Sequence, residues 1–372
     1  MTVRILHLHS TFSLGGKEAR AVRLMNAWGG AASHVILSAM PEHTGASAAI
    51  APGIDWRFDP AAPSLAGKPG PLRYLALARY MRGFDLVLSY NWGSMDGVMA
   101  RRVLGGPPLV HHEDGFNADE AEATKPKRDL FRRVGLTTAA AVVVPSARLE
   151  AIAREKWGAG ERLKLIANGV PVADYASGPT LPRAALGLRE IKTRPVVGTL
   201  AGLRAVKNLP RLVRAVAASG ADCDLVIVGE GPEREAIATE AARLGVSLHL
   251  PGFLAEPARY VGHFDVFALS SDSEQAPISL IEAMAAGVPV AAPAVGDVAA
   301  MVSVGNRRFV TPPGDEAALA TSIGELLREP ALRAAIGAAN RAEAAARFDE
   351  RAMIATYRAL YEGAMGRPGA LA

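Results

Sequence analysis

Short runs of valine, isoleucine and leucine alternate along this chain with longer segments whose apolar residues recur every three or four positions. The short runs read as strands buried on both faces of a parallel sheet, and the longer ones as helices crossing over it. In the first half this pattern predicts strands near Val3–His9, His34–Ala39, Asp85–Ser89, Leu109–His112, Ala141–Pro145 and Leu163–Ile166. Helices fit Lys17–Trp28, Leu72–Met81, Ser94–Leu104, Lys127–Leu136 and Ala147–Trp157. A looser stretch from 171 to 193 carries Pro171, Gly178, Pro179, Pro182 and Gly187 and reads as a linker. The alternation then restarts. Strands fit Pro195–Leu200, Asp224–Val228, Ser247–Leu250, Asp265–Leu269, Val288–Ala292 and Arg308–Thr311. Between them helices fit Leu209–Ala218, Glu233–Leu244, Ile278–Ala285 and Glu316–Leu327, the last behind an Asp315 cap, and an Ala-rich helical segment closes the chain from Pro330 to Met365. Two doubly wound α/β domains joined by a linker are expected, with the ligand in the cleft facing the strands' carboxyl ends.

Composition narrows the classes. The 372 residues suffice for two domain cores, and at 50% hydrophobic and 21% charged they resemble an ordinary globular protein. One cysteine, Cys223, offers neither an internal disulfide nor a CxxC metal pair, as in a reducing compartment. The apolar stretches Thr137–Val144 and Ala283–Val295 fall short of the about 20 residues of a helical span, and the second is broken by Gly287, Pro289 and Pro293. Without a leader-like amino terminus either, the expected location is cytoplasmic. A net charge of +4 with no aromatic-basic ladder gives no reason to expect a nucleic-acid partner.

Two loops carry candidate chemistry. After the first strand, Gly15-Gly16-Lys17-Glu18 opens a helix, where glycines let backbone amides approach an anion; the plainer reading is a tight turn. It is not the GxGxxG of a dinucleotide site, which argues against a dehydrogenase. The second is Ser270-Ser271-Asp272-Ser273-Glu274-Gln275-Ala276-Pro277, leading into a helix with Glu282 and ending at Gly287. Pro277 suits the first turn of that helix and Gly287 its end. The amides of Ala276 to Leu280 would face the cleft, ready for a diphosphate. Two carboxylates flanking an anion site need hydroxyl donors, so sugar and ribose hydroxyls are natural partners; the alternative is that they only satisfy the helix dipole.

Glu274 and Glu282, eight positions apart and followed by Ala-Met-Ala-Ala-Gly-Val-Pro-Val, resemble the E-x7-E element of glycosyltransferase family 4. The resemblance extends in order through Gly15-Gly16-Lys17-Glu18, Pro145-Ser146, Asn168-Gly169-Val170, Lys207-Asn208, Val228-Gly229-Glu230-Gly231-Pro232 and Pro313-Gly314-Asp315. It covers nearly the whole chain and is strongest from Pro195 onward. It implies the GT-B fold: two Rossmann-like doubly wound parallel-sheet domains facing across a cleft. They would comprise an acceptor-side domain over 1–170, a linker over 171–194, a nucleotide-sugar-binding domain over 195–347, and a segment 348–372 returning to the first domain.

The activity so implied is transfer of a sugar from a nucleotide-diphosphate sugar to an acceptor hydroxyl, with retention and with neither a metal nor a cofactor. The acceptor would be a glycan or a lipid-linked molecule, plausibly in cell-surface polysaccharide synthesis. By the same resemblance Lys207 holds the diphosphate and takes a catalytic role, Glu274 the donor sugar, and Glu282 the ribose. Gln275, Ala276, Pro277, Ile278, Ser279 and Leu280 would assist the donor, with Gly15 and Gly16 on the other domain. Three departures stand out. The family's usual Gly-Arg-Leu is here Ala201-Gly202-Leu203-Arg204, so Gly202 takes the arginine's place and Arg204 either reaches the phosphate or is a solvated loop residue. Gln275 stands where glycine is commoner. Aligning Pro108 with the family's proline puts Asp114 in the place of a catalytic histidine, with His112 two residues earlier, so either is a candidate. Asn91 and Trp92 would face the acceptor, with Trp92 either stacking on a sugar or packing in the core.

The segment Lys125-Pro126-Lys127-Arg128-Asp129-Leu130-Phe131-Arg132-Arg133 could rest peripherally on an anionic membrane, at the inner face of the plasma membrane, or be a solvated helix face. Rival readings of the chain are a nucleotide-sugar epimerase of the same fold and a catalytically silent sugar-nucleotide binding protein.

Overall fold

The computed structural model describes residues 2–13, 15–67, 69–116, 120 and 124–372. They form two compact units, one of residues 1–167 with 352–372 and one of residues 168–351.

The first unit is built on seven parallel strands: β1 (Val3–His9), β2 (Ala32–Ser38), β3 (Asp55–Phe58), β4 (Leu86–Tyr90), β5 (Leu109–His112), β6 (Ala141–Val144) and β7 (Leu163–Leu165). Their spatial order is β3-β2-β1-β4-β5-β6-β7, so the chain reverses direction across the sheet beside β1. Helices α1 (Gly16–Trp28), α2 (Pro71–Met81), α3 (Met95–Leu104), α4 (Pro126–Gly135) and α5 (Ala147–Lys156) make the crossovers. Strand alternation feeds two cores. Leu6, Leu8, Val87, Leu109 and Val142 point to one face, and Ile5, Leu86, Leu88, Val110 and Val143 to the other. Burying each such side chain contributes about 1.5–3 kcal/mol, which is why these strands are continuous apolar runs.

The second unit is a six-stranded parallel sheet of β8 (Val196–Leu200), β9 (Asp224–Val228), β10 (Ser247–Gly252), β11 (Val266–Ala268), β12 (Val290–Pro293) and β13 (Val310–Thr311). Its order is β10-β9-β8-β11-β12-β13. Its helices are α6 (Val172–Tyr175), α7 (Leu209–Ala218), α8 (Arg234–Leu244), α9 (Ile278–Ala285), α10 (Val298–Met301), α11 (Glu316–Arg328) and α12 (Pro330–Arg347). The last helix, α13 (Glu350–Met365), enters the first unit at residue 352 and buries Met353, Tyr357 and Tyr361 in that unit's second core.

The expected architecture stands, with local differences. The edge strand β3, Asp-Trp-Arg-Phe, escaped the apolar-run criterion because only alternate residues are half-buried. The stretch 171–193 packs within the second unit instead of standing apart: Leu186 and Leu188 are buried, and the Gly187 backbone passes His249. Pro330–Met365 is two helices, because Val170 bonds the Phe348 carbonyl and the Glu350 amide and draws the backbone out of helical form there. Arg308–Thr311 keeps only its last two residues as strand; Val304–Phe309 is a 3-10 turn.

Candidate functional site

In the second unit, chain segments leaving β8, β9 and β11 converge at the strands' carboxyl ends. The segment after β8 runs in hydrogen-bonded register with that after β9, through Ala201 N–H to Val228 O (3.0 Å) and Leu203 N–H to Glu230 O (2.9 Å). This contact explains Gly229: its φ is +142°, and a Cβ would lie 2.0 Å from the Ala201 carbonyl oxygen. Beyond it Ala205–Lys207 forms a 3-10 turn, and Asn208 takes left-handed φ/ψ (43°, 49°) to start α7. Asparagine tolerates that conformation better than most residues, which is the local reason for Lys-Asn.

The turn carrying Lys207 is fastened to the loop after β11. Asp272 N–H bonds Val206 O (2.9 Å), and Ser270 Oγ donates to Lys207 O (2.9 Å). Arg211 and Asn208 both bond the Asp272 carboxylate, Arg211 at 2.6 Å and Asn208 at 3.2 Å. Within this frame Lys207 Nζ donates to Glu274 Oε1 at 2.5 Å, and Ser271 Oγ donates to the same oxygen at 2.7 Å. The ammonium and the first carboxylate of the paired-glutamate element are therefore brought together. Ser271, Asp272 and Arg211 are supports that the motif reading missed.

Gln275 and Ala276 are fixed by their carbonyls, which accept from Asp297 N–H (2.8 Å) and Asn168 Nδ2 (3.0 Å). Gly296, φ +57°, is obligatory here, since a Cβ would stand 2.4 Å from Glu274 O. Helix α9 then starts at Ile278, with Pro277 outside it at the cap position, one residue earlier than a first-turn proline. The amides of Ile278, Ser279 and Leu280 have no carbonyl partner inside the helix, and their dipoles make this end electropositive. Glu282 follows in the second turn, buried; its charge and, foremost, burial raise the Tyr260 phenol above its ordinary pKa. Arg204 is exposed, yet its side chain folds back over Gly202: Nε lies 3.3 Å from where a residue-202 Cβ would be.

In the first unit, β5 and the two residues after it read His111-His112-Glu113-Asp114, with side chains alternating between the two faces. His112 is fully buried. Its Nδ1 donates to Ser89 O (3.2 Å), so Nε2 accepts from the Tyr361 hydroxyl (2.9 Å). Burial, chiefly, and then Arg20 hold this imidazole well below its usual pKa. Both His112 nitrogens are thus engaged inside the fold, to Ser89 and Tyr361. Glu113 is equally enclosed, bonded by Arg132 Nε at 3.0 Å. Asp114 retains a surface, with 12% of its side chain exposed. Its amide donates to Asn91 Oδ1 (2.7 Å), and Arg20 on α1 grips both carboxylate oxygens, one at 2.8 Å. Arg20 was not legible in the sequence; it sits two residues past Glu18 on the turn that buries inward.

At the start of α1, Glu18 is buried and ion-paired with Lys17, and burial raises its pKa. A Cβ on Gly15 would come within 2.9 Å of Glu18 Oε2, so the helix start is already faced by a carboxylate. Trp92 packs against Phe131 (ring centroids 5.5 Å apart), with Arg128 and Arg132 over its face. Arg132 is buried and Arg128 bonds Glu120 at 2.6 Å, so these two charges of the basic run face the protein. Lys127, Leu130, Arg133 and Val134 remain exposed.

Two protein-family models match the chain, "Glycosyl transferase 4-like domain" over residues 15–169 and "Glycosyl transferases group 1" over residues 187–343. A GDP-mannose-dependent alpha-(1-6)-phosphatidylinositol monomannoside mannosyltransferase of Mycolicibacterium smegmatis is 32% identical over 232 residues, 58% of this chain and 59% of that protein. A 2-deoxystreptamine glucosyltransferase of Streptomyces kanamyceticus is 26% identical over 264 residues, 64% of this chain and 66% of the relative. The chain thus spans under two thirds of these curated relatives' length. The crystal structure of Anabaena HepE, in complex with UDP and glucose, shares the fold at a TM-score of 0.79 and 21% identity, covering 97% of this chain and all of that one.

Proposed function

Since the chain belongs to the GT-B glycosyltransferases of the family 4 type, we propose that it transfers a sugar from a nucleotide-diphosphate sugar to an acceptor hydroxyl, with retention and without a metal. The observation that carries this reading is the Lys207–Glu274 pair beside the open amino end of α9. Lys207 and the amides of Ile278 to Leu280 bind the diphosphate, and Glu282 accepts from the ribose hydroxyls. Glu274, once Lys207 turns to the phosphate, orients the donor sugar with Gln275. The bond from the anomeric carbon to the phosphate oxygen breaks with its electron pair leaving on the diphosphate. The acceptor oxygen bonds the same face of that carbon, and its proton passes to the departing phosphate. Fixed cations and amides favour this because they need not reorganise as negative charge develops.

Arg204 serves the diphosphate in place of the family arginine, its guanidinium folded over Gly202. Arg204→Ala is expected to lower kcat about tenfold to a hundredfold, as loss of one charge-assisted contact does. Unchanged steady-state kinetics in that variant would return Arg204 to the solvated loop.

HepE was solved with UDP, whereas the mycobacterial relative uses GDP-mannose, so the base is read by experiment. Thermal melts against UDP, GDP and ADP should give one clear rise of several degrees, because a ligand that binds only the native state stabilises it. Glu282→Ala should abolish most of that rise. No rise with any of the three would remove the donor assignment. Acceptors are glycans or lipid-linked molecules, and the exposed Lys127, Leu130 (62% exposed), Arg133 and Val134 of α4 suit peripheral contact with anionic lipid.

A further inference from the structure

Resting on that reading, we propose that Arg20 is the positioning residue of the transfer reaction: it clamps Asp114 so that the carboxylate presents its remaining lone pairs to a substrate hydroxyl. Four features support it. First, the contact is a fork, with both guanidinium nitrogens on both carboxylate oxygens, so it fixes the plane of Asp114 and not only its distance. Second, Arg20 is itself anchored: it is buried, with its guanidinium 5.6 Å from the Tyr357 ring centroid on α13. The clamp is thus assembled from α1, the end of β5 and the last helix.

Third, the backbone of Asp114 is held as tightly as its side chain. Its amide bonds Asn91 Oδ1, and Asn91 adopts φ +55° after β4 to aim that oxygen. A non-glycine residue at positive φ is strained, and such strain concentrates where geometry matters for function. Fourth, the pair stands at the carboxyl end of a central parallel strand, where α/β sheets place ligands. A buried ion pair is by itself a poor stabiliser compared with apolar packing, so stability alone gives little reason to keep it. A carboxylate has about four acceptor positions and the fork uses two, leaving the rest for the surface that Asp114 keeps. An aspartate clamped in this way is a fixed acceptor for a hydroxyl hydrogen bond.

The test uses the full chain with the nucleotide sugar identified by the melts. Arg20→Lys keeps the charge but loses the fork. It should lower kcat about tenfold to a hundredfold, the scale of a small misplacement at a reacting centre, with the Kd for the bare nucleotide and the melting temperature nearly unchanged. The double variant Arg20→Lys with Asp114→Asn should be no slower than Asp114→Asn alone, since both remove one arrangement. If Arg20→Lys fails to fold, Arg20→Gln combined with Asp114→Asn, a neutral pair of similar shape, replaces it in the cycle with the same expectation. Wild-type kcat in Arg20→Lys, or two single effects that multiply in the double variant, overturns the clamp while leaving the transferase reading intact. A wild-type protein that binds no nucleotide sinks both.

Discussion

Lys207→Ala is expected to lower transfer by about two to three orders of magnitude, the usual cost of one preorganised contact to developing charge. The ammonium sits on a short 3-10 turn whose Val206 and Lys207 carbonyls accept from Asp272 N–H and Ser270 Oγ, while Asn208 and Arg211 just beyond it also bond the loop after β11. Such a turn does not need to rearrange when phosphate arrives; only the side chain must leave Glu274. The alanine variant also leaves Glu274, 8% exposed, without its cation and near the diphosphate. Like charge there opposes nucleotide binding, so affinity for the nucleoside diphosphate should fall along with kcat. Lys207→Ala/Glu274→Ala should then bind the nucleotide more tightly than Lys207→Ala, though still below wild type, without recovering turnover. Steady-state rates on donor and acceptor, with calorimetric titration of the nucleotide, decide it. Rates of Lys207→Ala within a factor of three of wild type would remove the lysine from the reaction.

Most of the architecture could be read from the chain because parallel strands buried on both faces leave an unmistakable apolar run, as in Ala141-Val142-Val143-Val144. What escaped was set by partners distant in sequence. Asp55–Phe58 is a strand because β2 pairs with it, although every other residue in it is charged. Phe348 and Asp349 interrupt the last helical segment because Val170, 178 positions before Phe348, bonds across the gap. The same holds at the site. Glu274, Glu282 and Lys207 stand out as motif residues, but the frame that holds them, Ser270, Asp272 and Arg211, has no local signature. At the end of β5 the four consecutive polar residues announced chemistry without assigning it. Separating His112 from Asp114 needed Tyr361, 249 positions away from His112, to account for the imidazole and Arg20 to account for the carboxylate.

Acidification from pH 6.5 toward 5 is expected to destabilise the protein steeply, because four histidines are buried uncharged in the first unit. His7, His9, His34 and His112 are all at most 2% exposed. Burial is the leading cause of depression in each: His34 is lowered to about 4, and the other three lie well below the ordinary value. His34 adds charge repulsion to His7, whose Nε2 it meets at 3.0 Å, and Lys17 does so for His9. His9, stacked 4.1 Å from the Tyr90 ring, has no hydrogen-bond partner on either nitrogen among the described residues. Unfolded, each ring titrates near 6.5. Below that pH the unfolded chain binds protons that the folded chain refuses, so stability falls with falling pH, by about 1.4 kcal/mol per pH unit for each fully titrating ring. For His34 this loss ends near its folded value and amounts to about 3 kcal/mol. The other three act in the same direction. All four rings thus lower stability as the pH falls below 6.5, against a total of roughly 5–15 kcal/mol for a typical domain. Glu18, whose pKa is raised by burial, acts in the opposite sense as it protonates, but it is one group against four. Melting temperature followed from pH 7.5 to 4.5 should therefore fall with a slope that steepens below pH 6.5, and His34→Gln should flatten that fall. Imidazole proton shifts that move with a midpoint near 6.5 in the folded protein, or a melting temperature constant down to pH 5, would show that these rings are charged in place.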